Sequence, residues 1–167
     1  MINRKAKRIS KEQALQKLKH YCGYQERSHA EAREKLYTYG LYKPEVEEIL
    51  SRLIEEDYLN EERFATAFAG GKFRMKGWGK IKIIEGLKEK RVSEYCIKKA
   101  MKEIDETNYH ASLQKFALAK WDSLKSENNI FIKMRKTQDH LLQKGYELHL
   151  INSTLNQLRK GLADVTE

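Results

Sequence analysis

The chain has 167 residues, 40% hydrophobic and 34% charged, with nine glycines and a single proline. That is too much patterned apolar content for a disordered chain and too few turn-forming residues for an all-β architecture. Lys and Arg outnumber Asp and Glu by 33 to 24, giving a net charge of +9 and a pI of about 9.4, which favours a polyanionic partner: nucleic acid, an anionic membrane surface or an acidic protein.

Residues 1–9 hold Arg4, Lys5, Lys7 and Arg8 without an acid and read as a basic flexible arm. Ser10 then caps a helix that sets Ala14, Leu15, Leu18 and Cys22 on one face. Ser28 and Glu31 have the spacing of a capping box and open a second helix, with Leu36 and Tyr39 inward and Gly40 at its end. Pro44 sits in the first turn of a third, where its missing N–H costs nothing, and Val46, Ile49, Leu50 and Leu53 form the buried stripe. Asn60 caps a fourth helix with Phe64, Ala67 and Phe68 inward, and Gly70-Gly71 is expected to end or bend it. Gly77-Trp78-Gly79 turns into a helix with Ile81, Ile84 and Leu87, and Ser93 caps its partner with Ile97, Ala100, Met101 and Ile104. Leu113, Phe116, Ala117 and Trp121 mark the seventh helix, which precedes a polar break at 126–129. The last two carry Leu141 and Leu142, then Ile151, Leu155 and Leu158.

One pattern recurs three times. Gly40, Arg91 and Gly145 are each preceded four residues earlier by Leu36, Leu87 and Leu141. Each is followed by an apolar ladder: Val46, Ile97, Ile151; then Leu50, Met101, Leu155; then Leu53, Ile104, Leu158. Steps of four, three and seven are the helical period, so each copy is a helix, a tight break and a second helix. The predicted fold is all-α, with three tandem three-helix repeats over 10–57, 58–106 and 107–160 and a loose tail at 161–167. Such stacks offer an extended surface to something long.

No apolar run approaches the ~20 residues of a membrane-spanning helix, and the basic amino terminus lacks the apolar core of a secretory signal. Cys22 and Cys96 are too scattered for a disulfide framework or a zinc site and read as small core residues. A cytoplasmic location without a membrane partner follows as the expectation. Charge is segregated: residues 44–62 hold eight acids and one base, whereas 72–91 hold eight bases and two acids. The basic segment (Lys72, Arg74, Lys76, Lys80, Lys82, Lys88, Lys90 and Arg91) interleaves its cations with Phe73 and Trp78. Cations beside stackable rings are what single-stranded or protein-coated nucleic acid would meet. The bland reading is that both rings are core or turn residues and the lysines merely solvated. Lys133, Arg135 and Lys136 form a further positive spot.

No catalytic constellation is present. The five histidines are scattered, and Gly77-Trp78-Gly79-Lys80 lacks the four-residue spacing and Lys-Ser/Thr of a phosphate loop. Glu55, Glu56 and Asp57 read as a solvated helix end rather than a metal cluster. The expectation is a non-enzymatic protein without metal or cofactor.

The segments RSHAEAREKL, DYLNEERFATAF and KGWGKIKIIEGLKEKRV resemble the RecX regulatory proteins of bacteria over about residues 12–160, most specifically within 27–92. The resemblance implies three tandem three-helix repeats in an elongated, curved array. It implies a modulator of the RecA recombinase that binds the RecA–DNA filament, inhibits its ATPase and strand exchange, and so acts in DNA recombination, repair and the SOS response. It also implies direct binding to DNA, single-stranded first and double-stranded second, by a monomer. The chain departs from the commoner pattern at Arg91, usually glycine, and at Lys80, often proline. Both changes add positive charge. The candidate filament- and DNA-binding set is Lys72, Arg74, Lys76, Trp78, Lys80, Lys82, Lys88, Lys90 and Arg91. The alternative function is a helical DNA-binding transcription regulator that reads duplex DNA through one helix pair. A third is a scaffold for an acidic protein.

Overall fold

The computed structural model describes residues 7–163, and every regular element among them is helical. The helices are α1 (Lys11–Tyr24), α2 (His29–Thr38), α3 (Lys43–Glu55), α4 (Glu61–Lys76), α5 (Lys80–Glu89), α6 (Glu94–Lys102), α7 (Glu106–Ser123), α8 (Ile130–Gln143) and α9 (Leu148–Ala163). Of the basic arm, Arg4 and Lys5 lie outside the described residues, as do the last residues of the expected loose tail. By backbone contacts the chain divides into two units. Unit 1 is the chain up to Phe68 with Leu87–Ala100, and unit 2 is Ala69–Gly86 with the chain from Met101 on. The division passes through α4, α5 and α6.

In unit 1, α1, α2 and α3 pack against one another around Leu15, Leu18, Leu36, Val46, Leu50 and Leu53. Burying each such side chain contributes about 2 kcal/mol. Two complete capping boxes start α1 and α2: Ser10 with Gln13, and Ser28 with Glu31. Arg8 and Ile9, at the end of the expected flexible arm, are docked. The Ile9 N–H donates to the Tyr39 carbonyl (3.2 Å), and the Arg8 guanidinium pairs with Glu45 (2.7 Å) and lies over the Tyr42 ring.

The acidic run of α3 is largely spent inside this unit. Lys11 pairs with Glu48, Lys19 with Glu56 and Arg33 with Glu47. The partners Arg8–Glu45 and Lys11–Glu48 are both 37 residues apart, as are Lys19–Glu56, so α1 and α3 run parallel in a fixed register. Glu62 of α4 and Lys99 of α6 repeat the offset of 37 with the charges exchanged. Exposed pairs of this kind are worth at most about 1 kcal/mol each, so they set register more than stability.

Unit 2 packs α7, α8 and α9 mutually. Tyr109, Leu113, Ala117 and Trp121 form a stripe of four-residue steps along α7, facing Leu141 of α8 and Ile151 and Leu155 of α9. Asp105 and Asn129 cap α7 and α8.

All three repeat anchors adopt left-handed backbone: Gly40 (φ 76°), Arg91 (φ 58°) and Gly145 (φ 92°). At Arg91 the helix ends as it does at Gly145. The anchor N–H reaches Lys88 O and the next N–H reaches Leu87 O, matching Gly145 to Leu142 and Tyr146 to Leu141. A side chain in this conformation costs about 1 kcal/mol relative to glycine. Arg91→Gly is therefore expected to raise the free energy of unfolding by about 1 kcal/mol, read as a higher urea midpoint at constant slope. An unchanged midpoint would show that the Arg91 side chain offsets its own strain.

Several sequence expectations are corrected. Gly70-Gly71 does not end α4, which runs on to Lys76. Just beyond the two glycines, Phe73 stacks on Tyr109 at 5.9 Å. Ala67 is exposed, and the inner face is Phe64, Ala65 and Ala69 with Phe68 half-buried. In α5 the buried positions are Ile83 and Leu87, one turn apart, while Ile81 is exposed. Leu142 lies a hundred degrees around α8 from Leu141 and is likewise exposed. α9 continues past residue 160, where the loose tail was expected to begin, to Ala163.

Candidate nucleic-acid interface

The candidate cations divide between the units: Lys72 to Lys82 belong to unit 2, and Lys88, Lys90 and Arg91 to unit 1. In unit 2, α4 ends at Lys76 and the chain turns through Gly77 (φ 66°), whose N–H donates to Phe73 O, while the Trp78 N–H donates to Lys72 O (3.2 Å). A Cβ on Gly77 would stand 2.4 Å from the Phe116 ring, so only glycine fits this turn unaltered. Trp78 is half-buried, with the ammonium groups of Lys72 and Lys82 each 4.8 Å from its ring centre. Both distances are within cation–π range. Two ammonium groups gathered at one aromatic ring place positive charge where the phosphates of a nucleic acid could be met.

The remaining unit 2 cations differ in kind. Arg74 is exposed, and its guanidinium lies over Gly70, where an added Cβ would come within 2.7 Å of it. With Lys115, Phe73 and Phe116 it lines an open groove of about 380 Å³. Lys76 projects from the last turn of α4, where the helix dipole favours a cation. Lys80 is held inside the unit. Its side chain is only 17% exposed, it pairs with Glu106, and its ammonium sits 4.7 Å above the Tyr109 ring. Lys82 also donates to the Gln143 carbonyl (3.4 Å).

Tyr109, fully buried, is the hub beneath this surface. Its hydroxyl donates to Glu147 (2.5 Å) and accepts from the Lys80 N–H (2.9 Å), while Phe73 and Tyr146 pack on its ring. Burial and then the Glu147 carboxylate raise its pKa well above the ordinary phenol value, so it stays a neutral donor.

In unit 1, Lys88 and Arg91 are exposed, whereas Lys90 pairs with Glu31 (2.8 Å). Burial pushes the Glu31 carboxyl up, but Lys90 and the Ser28 N–H outweigh it, so its pKa falls below the ordinary carboxylate value. This contribution is present at neutral pH and is lost as pH drops through that lowered value.

Sequence reasoning missed Tyr109 and Lys115. It also missed Lys144, whose ammonium lies 4.0 Å over the Phe116 ring. The signal for Lys144 was its place directly before the repeat anchor Gly145. Among the described residues no group of three or more His, Cys, Asp or Glu is placed to hold a metal ion, and no helix is long and apolar enough to cross a membrane.

Comparison with known proteins bears on this surface. The family profile described as RecX, second three-helix domain, matches residues 60–101, a range that includes the Trp78 turn. A regulatory protein RecX of Prosthecochloris aestuarii is 30% identical over 145 residues, covering 87% of this chain and 93% of that protein. The chain belongs to the RecX family. A regulatory protein RecX of Chlorobium phaeobacteroides is 28% identical over 138 residues, covering 81% and 87% of the two chains. The fold is that of the RecX crystal structure from Lactobacillus salivarius, with a TM-score of 0.80 at 19% identity over 89% of this chain and 96% of the other. As a RecX family member the chain is a regulatory protein built from three-helix repeats.

Proposed function

We propose that this protein is a non-enzymatic regulator that binds a RecA–DNA filament and inhibits its ATPase and strand exchange. The observation that carries the reading is the Trp78 indole between Lys72 and Lys82, at the end of a helix that also presents Arg74 and Lys76. Family membership supplies the regulatory role, and the net charge of +9 suits a partner that carries nucleic acid. Lys80 is set aside from the contact set because Glu106 and Tyr109 hold it, and Lys90 because Glu31 does.

The test is a titration of recombinase ATPase on single-stranded DNA at two salt concentrations, with the parent protein and with Lys72, Arg74 and Lys76 all changed to glutamate. The parent is expected to inhibit, less so at high salt. The triple variant should need about tenfold more protein for the same inhibition, with unchanged helical circular dichroism, since two or three phosphate contacts are lost. No inhibition by a molar excess of parent would end the proposal. A sequence-selective footprint on duplex DNA would instead favour the transcription-regulator reading.

A further inference from the structure

The strongest surface outside the Trp78 turn is on unit 1, along the side of α1 opposite its buried stripe. Gln16, His20 and Tyr24 follow one another at four-residue steps and form a single row on that helix. Tyr24 at the end of the row is 81% exposed. An open groove lies on each side. One, of about 510 Å³, is lined by Lys17, Tyr21, Arg27, Lys35 and Tyr39. The other, of about 500 Å³, is lined by Lys19 and Tyr58. The row of three residues lines both.

The first groove has the composition of an anion site with aromatic walls. The Arg27 guanidinium stacks 3.8 Å from the centre of the Tyr21 ring and is pinned by a hydrogen bond to the Tyr21 carbonyl (3.3 Å). The Lys35 ammonium stands 5.6 and 5.8 Å from the Tyr21 and Tyr39 rings. No Asp or Glu is among its lining residues. Glu31, on the neighbouring helix α2, is itself paired with Lys90. Tyr21 and Tyr39 thus already carry cations, whereas Tyr24 presents its ring to solvent between the two depressions.

We propose that this α1–α2 face is a second binding track, for single-stranded nucleic acid, with a base stacked on Tyr24 and phosphates on Lys17, Arg27 and Lys35. Three adjacent cations without a lining carboxylate select a polyanion, and an exposed flat ring selects a base over a simple acidic peptide. Two grooves that share the row Gln16, His20 and Tyr24 fit a ligand longer than one nucleotide. This track does not rest on the filament reading, because it concerns nucleic acid alone.

The test is fluorescence anisotropy of a labelled fifteen-nucleotide oligothymidine with the full chain and no recombinase, at several salt concentrations. Tyr24→Ala should weaken binding by about tenfold, the loss of one stacked base, while Tyr24→Phe should retain it. Changing Lys17 and Lys35 together to glutamate should weaken binding and flatten the salt slope by about 1.4, two phosphates at ~0.7 each. Parental affinity and slope in all three variants would overturn the proposal. So would displacement by thymidine monophosphate as effective, nucleotide for nucleotide, as by unlabelled oligothymidine, which would identify a mononucleotide pocket. Failure of the ATPase titration would leave these outcomes unaffected.

Discussion

Replacing Gly79 with alanine is expected to cost about 3 kcal/mol of stability and to lower the melting temperature by roughly 6–12 °C. A Cβ at this position would lie 2.3 Å from both the carbonyl carbon and the oxygen of Gly145, and 2.4 Å from the Tyr146 nitrogen. All three are backbone atoms, so no side-chain rotation relieves the clash. The close approach exists because the Gly79 N–H donates to the Lys144 carbonyl (2.7 Å) and the Ile81 N–H to the Gly145 carbonyl (3.0 Å). An added methyl would separate the two turns and break both bonds. Gly145 is bound by the same geometry from the other side: its own Cβ would meet Lys82 Cβ at 2.3 Å. Gly71 supplies the control. It is helical with nothing within 4 Å, so Gly71→Ala should be neutral or stabilising by up to about 1 kcal/mol. Thermal melts followed by circular dichroism distinguish the two. Equal melting temperatures for Gly79→Ala and Gly71→Ala would mean the turns are not pressed together as described.

Tyr109→Phe is expected to cost about 2 kcal/mol, although it removes a single oxygen from a fully buried ring. The phenol donates to the Glu147 carboxylate and accepts from the Lys80 N–H at the start of α5, so the change leaves two polar groups short of a partner at once. Hydrogen bonds to charged groups contribute about 1.5–3 kcal/mol, and the stranded donor adds to the loss. The ring contacts with Phe73 and Tyr146 remain, which separates this cost from a cavity effect. Urea unfolding with an unchanged slope and a lower midpoint is the expected readout. A midpoint equal to the parent would show that water replaces the hydroxyl without penalty.

The helices and their ends were legible because their determinants are local. Ser28 with Glu31, Asn60, Ser93 and the ladder after Gly40, Arg91 and Gly145 all act within a few residues, and each occupies the expected place. Inner faces were less legible where the apolar residues were crowded. In α5, Ile81, Ile83 and Ile84 offer two competing stripes, and only packing chooses Ile83. The candidate site was legible as a basic aromatic segment but not as an arrangement. The Lys80–Glu106 pair spans 26 residues and the Lys90–Glu31 pair 59, and nothing in a local window announces either. The tyrosine face of α1 was overlooked because attention to the apolar stripe at Ala14, Leu15, Leu18 and Cys22 treats the opposite face as mere solvent boundary.

The main-chain bonds between the Gly79 turn and the Lys144–Gly145 turn have a practical consequence for dissecting the molecule. The Trp78 turn is buttressed by α7 and by the turn joining α8 to α9, both beyond the segment the family profile matches. An excised peptide spanning that segment alone would carry the tryptophan without its abutment, so weak activity from such a fragment would report lost support rather than an absent contact.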